Sequence, residues 1–258
     1  MAGVKPYLLG VFLLLPAMGY GQPVELCGVH WPPYTISDDR TIAEGLSFAI
    51  YEEAFTRLGL EVNATRLPWK RCQVEVSRGR YDAIMDADKV LFEDYVFGKN
   101  TTNFNPVTIY VRRRSPMNHY DPEVLEGRQV GIVEGYVGYL AIAEQHGWKV
   151  VETRSEKHTF RMLAEQRIDF AMVDEASAPL LTPQLEVDFK PLDPPVFIQE
   201  LSLGFHPSNR DLMERYDRAI SEMIQDGTLD ELYRQHLPYS YSEIRKRARR
   251  QEGNAQQE

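Results

Sequence analysis

The chain has 258 residues, with 29 Lys and Arg against 38 Asp and Glu, a formal net charge of −9 and a hydrophobic share of 43%. That length provides a core for one or two ordinary domains, and the acidic balance argues against nucleic acid as a partner. With two cysteines, Cys27 and Cys72, the chain has no Cys-x-x-Cys redox pair and no clustered metal spacing, so metal ligands and cofactors are not expected.

Lys5 precedes a short apolar run from Tyr7 to Pro16, and small residues follow at Ala17, Gly19 and Gly21. This is the pattern of a cleaved secretory leader. The run is about half the roughly 20 apolar residues that a membrane span needs. Residues 1–21 are therefore read as a signal peptide and the mature chain as periplasmic. In an oxidising compartment an even cysteine count favours a Cys27–Cys72 disulfide over two separately buried thiols.

Val24 to Val29 reads as a buried strand, and Trp31-Pro32-Pro33-Tyr34 as a rigid turn, since two prolines cannot continue a central strand. Phe48, Tyr51, Phe55 and Leu58 recur at helical spacing before Gly59. A strand over 61–67, a helix opened by Pro68-Trp69 and running to Arg78, and a strand from Ala83 to Asp86 come next. Val107 to Val111 is a β-rich run, and the charged segment from Arg112 to Pro122 reads as a crossing. Beyond it lie a strand from Gln129 to Val133, a tight loop at Gly135-Tyr136-Val137-Gly138, a helix from Tyr139 to His146, and strands at Lys149–Thr153 and Phe170–Val173. Leu201 to Phe205 reads as a return crossing. A helix carrying Leu212, Tyr216, Ala219, Ile220 and Met223 stops at Gly227, and a short one carries Leu229, Leu232 and Tyr233.

Gly79-Arg80-Tyr81-Asp82-Ala83-Ile84-Met85 is echoed by Gln166-Arg167-Ile168-Asp169-Phe170-Ala171-Met172. A helix, a polar turn and a short apolar strand form the repeating step of an open α/β sheet, whose ligands gather at the carboxyl ends of the strands. The expected fold is α/β and two-lobed, each lobe a small open sheet flanked by helices, with two hinge crossings. Lobe one spans 22–111 and 201–240, and lobe two spans 112–200. Residues 241–258, where Arg245, Lys246, Arg247, Arg249 and Arg250 crowd together, read as a solvated basic tail.

These features resemble the bacterial extracellular solute-binding proteins of family 3, the periplasmic receptors of polar amino-acid ABC transporters. The resemblance runs from Val24 to about Leu237. It rests on the aromatic-proline turn at 31–34, the helix after Trp69, Gly79-Arg80-Tyr81-Asp82-Ala83, Leu125-Glu126-Gly127-Arg128-Gln129-Val130-Gly131, Arg167 to Asp174, and Asp226-Gly227-Thr228-Leu229. It implies a two-lobed monomer without catalytic activity that closes on a small polar solute, with an ABC permease or a membrane receptor as partner. By the same resemblance Trp31 and Trp69 sandwich the ligand, Tyr136 lies at the lobe-two helix start, and Asp174 receives an ammonium group. The family's Thr-x-x-Arg segment, whose Arg grips a carboxylate, is replaced here by Asp86-Ala87-Asp88-Lys89-Val90-Leu91-Phe92. Lys89 and Arg71 are the available substitutes. Alternatively the ligand carries no carboxylate, and Trp31, Tyr34, Trp69 and Tyr136 form an aromatic cage around a cation beside Asp174. Two other readings keep the fold: a stand-alone sensor, and a dehydratase-like enzyme using Glu134 and Asp174 as acid and base.

Overall fold

The computed structural model describes residues 22–183 and 185–255; the leader lies outside them. The chain begins with β1 (Val24–Gly28), β2 (Ile36–Ser37), β3 (Ile42–Glu44), α1 (Leu46–Arg57), β4 (Val62–Arg66), α2 (Trp69–Ser77) and β5 (Ala83–Asp88). After β6 (Asn103–Arg112) come β7 (Gln129–Val133), α3 (Val137–Gln145), β8 (Lys149–Thr153), α4 (Glu156–Ala164), β9 (Phe170–Asp174), α5 (Ala178–Leu181) and β10 (Phe189–Pro191). The chain then returns through β11 (Phe197–Phe205) to α6 (Arg210–Asp226), α7 (Thr228–His236) and α8 (Tyr241–Ala255).

Among the described residues, nine strands form one mixed sheet in the order β4-β1-β5-β11-β6-β9-β7-β8, with β10 also on β6, and β2 and β3 form a separate antiparallel pair. β4, β1 and β5 run parallel, as do β9, β7 and β8. The long antiparallel strands β6 and β11 join these two halves. β11 pairs with β5 through Leu201–Phe205 and with β6 through Phe197–Leu201, while β6 pairs with β9 from Val107 to Tyr110. The passage between halves therefore lies inside β6, not in the segment from Arg112 to Pro122 where the charge pattern placed it. Asn103, Asn105 and Pro106 mask the strand in the sequence, yet both Asn side chains are fully buried, where Asn103 Nδ2 donates to Asp86 Oδ1 at 3.2 Å and Asn105 Oδ1 accepts from the Tyr34 hydroxyl at 3.0 Å.

The sequence echo has a structural cause. Gly79 and Gln166 both hold positive φ, 69° and 60°. At each, the chain leaves its helix through the same pair of backbone bonds, Gly79 N–H to Val76 and Arg80 N–H to Glu75, then Gln166 N–H to Leu163 and Arg167 N–H to Met162. This is the left-handed helix terminus that satisfies otherwise orphaned carbonyls. Asp82 then accepts a bond from the Glu25 N–H at 2.9 Å and Asp169 one from the Gln129 N–H at 3.1 Å. Each Asp thus ties the start of an inner strand to its parallel neighbour.

One core lies between α1, α6, α7 and the first half of the sheet, with Tyr51, Phe55 and Phe205 packed around Tyr216. Clusters around Ile132, Tyr139 and Trp148, and around Phe160 and Leu163, cover the second half. The disulfide Cys27–Cys72 ties β1 to α2. It closes a separation of 45 residues, a loop whose restriction contributes about 4 kcal/mol in the chain-entropy account.

The expected basic tail is instead α8. Tyr241, Ile244 and Ala248 recur at helical spacing among the basic residues and are buried at 2 to 3% exposure. The Tyr241 hydroxyl donates to the Thr101 carbonyl at 2.8 Å, and Gln251 Nε2 donates to the Pro195 and Val196 carbonyls beside β11.

Candidate functional site

β9 ends at Asp174, at the carboxyl edge of the second half-sheet, and β1 leads into the Trp31–Tyr34 turn. The turn is held by the Trp31 N–H bonded to the Thr35 carbonyl and the Tyr34 and Thr35 N–H groups bonded to the Trp31 carbonyl. Gly45, at φ 101°, lets the backbone pass so close to Tyr34 that a Cβ there would lie 2.5 Å from its carbonyl oxygen. The turn meets β9 directly. Trp31 Nε1 donates to Asp174 Oδ2 at 3.2 Å, the Ser177 N–H donates to Asp174 Oδ1 at 2.6 Å, and Ser177 Oγ donates to the Pro32 carbonyl at 2.7 Å.

Asp174 is fully buried. Burial pushes its carboxyl above the ordinary range, tempered by hydrogen bonds from Glu156, Ser177 and Trp31. Glu156, in the first turn of α4, is nine-tenths buried and bonded to Asp174. Its carboxyl is pushed up more strongly, first by burial and then by the neighbouring acid. Ser155 caps α4 by accepting the His158 N–H at 3.2 Å, and α4 lies close on β7 because Gly131 has no side chain. A Cβ at Gly131 would meet Ile168 Cδ1 at 2.5 Å and Thr159 Cγ2 at 2.8 Å.

The site residues expected from the sequence separate into two groups. Trp31, Tyr34, Tyr136 and Asp174 come together: the Trp31 and Tyr34 rings lie 4.3 Å apart, and Tyr136, half-buried and 5.0 Å from Tyr139, lies in the field of Asp174 and Glu156. The Tyr34 hydroxyl donates to Asn105 Oδ1 at 3.0 Å, so this ring supports Trp31 from behind. Trp69 meets Phe92 edge-on at 5.8 Å beside the Cys27–Cys72 disulfide. Arg71 is exposed on α2. The Lys89 ammonium reaches the Lys99 carbonyl at 3.4 Å and faces Glu200 and Asp217. Glu134 is exposed, so the acid beside Asp174 is Glu156, not Glu134. Glu156, Asn105, Tyr139 and Ser177 escaped sequence reasoning. For Glu156 a signal existed, an acidic residue straight after the capping Ser155, on a helix that starts at the edge of the sheet where ligands gather.

The model of the bacterial extracellular solute-binding proteins, family 3, matches residues 27–239. No curated protein sequence matches the chain. Among solved structures, a histidine kinase sensor domain with similarity to periplasmic binding proteins superposes with a TM-score of 0.74 at 18% identity, covering 86% of this chain and 98% of that one. The probable amino-acid ABC transporter extracellular-binding protein ytmK of Bacillus subtilis gives 0.72 at 18% identity, with 84% and 97% covered. An ancestral amino acid-binding protein described as a precursor of cyclohexadienyl dehydratase gives 0.68 at 16% identity, with 83% and 95% covered. The family match takes in both echoed motifs, the turn at 31–34 and Asp174. The chain belongs to the bacterial extracellular solute-binding proteins, family 3.

Proposed function

We propose that this protein is a periplasmic receptor that captures a small amine-bearing, amino-acid-like solute and delivers it to an ABC permease. The solute sits between lobe one, built on β4, β1 and β5, and lobe two, built on β9, β7 and β8, with the boundary inside β6 and β11. The observation that carries this reading is the contact of Trp31, which follows β1, with Asp174, which ends β9. A buried carboxylate without a cation is costly, and a bound ammonium group supplies the missing charge. Closure then follows from a ligand that contacts both lobes and so favours the closed population.

A thermal-shift screen against amines and polar amino acids tests this. A bound solute raises the melting temperature by mass action, about 2.7 kcal/mol of stabilisation at a hundredfold excess over Kd. Asp174→Ala is expected to remove that shift while the fold persists, and Trp69→Ala to weaken it. Arg245→Ala, whose guanidinium lies 5.8 Å over the Tyr241 ring on α8, is expected to leave it unchanged. A full shift in the Asp174 variant places the ammonium elsewhere, and equal losses from Trp69 and Arg245 undo the assignment.

One observation favours a second reading, an enzyme on the same fold: a carboxyl pair that holds a proton is also a general acid. Recovering the solute chemically unchanged after long incubation excludes that reading; its conversion establishes it.

A further inference from the structure

Glu156 and Asp174 are hydrogen-bonded to each other. An ionised carboxylate has no donor, so this bond requires one proton between the two groups. The remaining contacts of the pair are unequal. Both oxygens of Asp174 are engaged, by Trp31 and by the Ser177 N–H, whereas Glu156 Oε1 is buried with no hydrogen-bond partner. A buried acceptor without a partner lacks its donor. Among the described residues neither carboxyl takes part in an ion pair; the nearby Glu175 is matched by Arg247 at 3.2 Å. Of the two candidate cations for a ligand carboxylate, Lys89 donates to the Lys99 carbonyl and Arg71 is exposed on α2.

We propose that Glu156 and Asp174 form an acid pair that selects a small organic cation, an ammonium or guanidinium with no need of its own carboxylate, and that this cation expels the proton held between them. The inference rests on the reading of this cleft as the solute site. Ligand N–H donors take up Glu156 Oε1 and the Asp174 carboxylate, and the displaced proton leaves to solvent, so one positive charge replaces another. Tyr34, Tyr136, Tyr139, Tyr110 and Tyr239 face the pair as neutral phenols. The charged neighbours are the matched Glu175–Arg247 pair and, in the same first turns of α4, Lys157 and His158.

Isothermal titration of the full mature protein at pH 6 and pH 8, in two buffers of different ionisation heat, tests the proposal. The probes are agmatine, L-arginine and n-butylurea, a neutral urea of similar length that carries no cation. Wild type is expected to bind agmatine and release close to one proton at pH 6, with affinity rising as much as ~tenfold per pH unit while the proton remains to be displaced. Glu156→Gln is expected to keep its fold by circular dichroism, lose proton release, and bind agmatine roughly tenfold more weakly at pH 8, the loss of one charge-assisted contact. Proton release that persists in Glu156→Gln overturns the inference, as does agmatine binding by wild type without release. Binding of n-butylurea as tight as that of agmatine also overturns it, while sparing solute capture in this cleft; failure of every probe counts against both.

Discussion

Gln166 is the residue at which the two halves of the molecule differ in backbone cost. Its counterpart is Gly79, and both occupy the left-handed region at the end of a helix. A side chain there costs about 1 kcal/mol relative to Gly, and Gln166 is exposed, so no packing compensates. Gln166→Gly is expected to raise stability by about 0.5–1 kcal/mol in urea unfolding, at unchanged solute affinity. A loss of stability would mean that the greater freedom of Gly in the unfolded chain outweighs the strain. The shared motif was legible in the sequence because Asp82 and Asp169 perform one task at one place in each half, and identical geometry demands identical residue types. Glu156 was not legible as the partner of Asp174, because their meeting depends on how α4 settles on β7 over Gly131, a long-range fit that no local pattern encodes.

Among the elements, α8 differs most from its sequence reading. Its basic residues gave the impression of a solvated extension, whereas Tyr241, Ile244 and Ala248 lie along one face and pack against the chain. Tyr241 also meets Phe104 and Tyr233 at 5.6 and 5.5 Å. Removing such a ring leaves a cavity and an unpartnered Thr101 carbonyl; Tyr241→Ala is expected to cost about 3–5 kcal/mol, read as a lower midpoint in thermal or urea unfolding. A cost below 1 kcal/mol would show that α8 docks loosely. The Arg247–Glu175 pair midway along the helix is half-exposed and adds at most about 1 kcal/mol. Most strands and the helices α1, α2, α3, α6 and α7 were readable from their periodicity. The extended β6 was not, since Asn and Pro inside a strand carry the local signature of a turn.

For the whole molecule, buried acids and a net charge of −9 set the response to pH. Asp86, Glu156 and Asp174 all hold protons more tightly folded than unfolded, chiefly because of burial. Their contribution to stability is complete below the unfolded values of about 4 and declines as pH rises toward the raised ones. Asp226 acts in the opposite sense: Thr228 and Arg57 hold it down to about 2, so its contribution is lost only as pH falls below about 4. The ligand-free protein is therefore expected to lose stability between pH 5 and pH 8 relative to Glu156→Gln, by up to ~1.4 kcal/mol per pH unit within the titrating window. Parallel melting curves of the two proteins across that range would refute this origin for the effect.

The family match ends at 239, yet the helix that follows packs against both strands that join the half-sheets: Tyr241 reaches Thr101 just before β6, and Gln251 reaches Pro195 and Val196 just before β11. Any fusion partner, affinity handle or fluorophore attached to α8 is thereby set beside those joining strands. On the closure proposed above, an environment-sensitive dye on the outer face of α8 is expected to report the motion optically, whereas a bulky tag there is expected to hinder it.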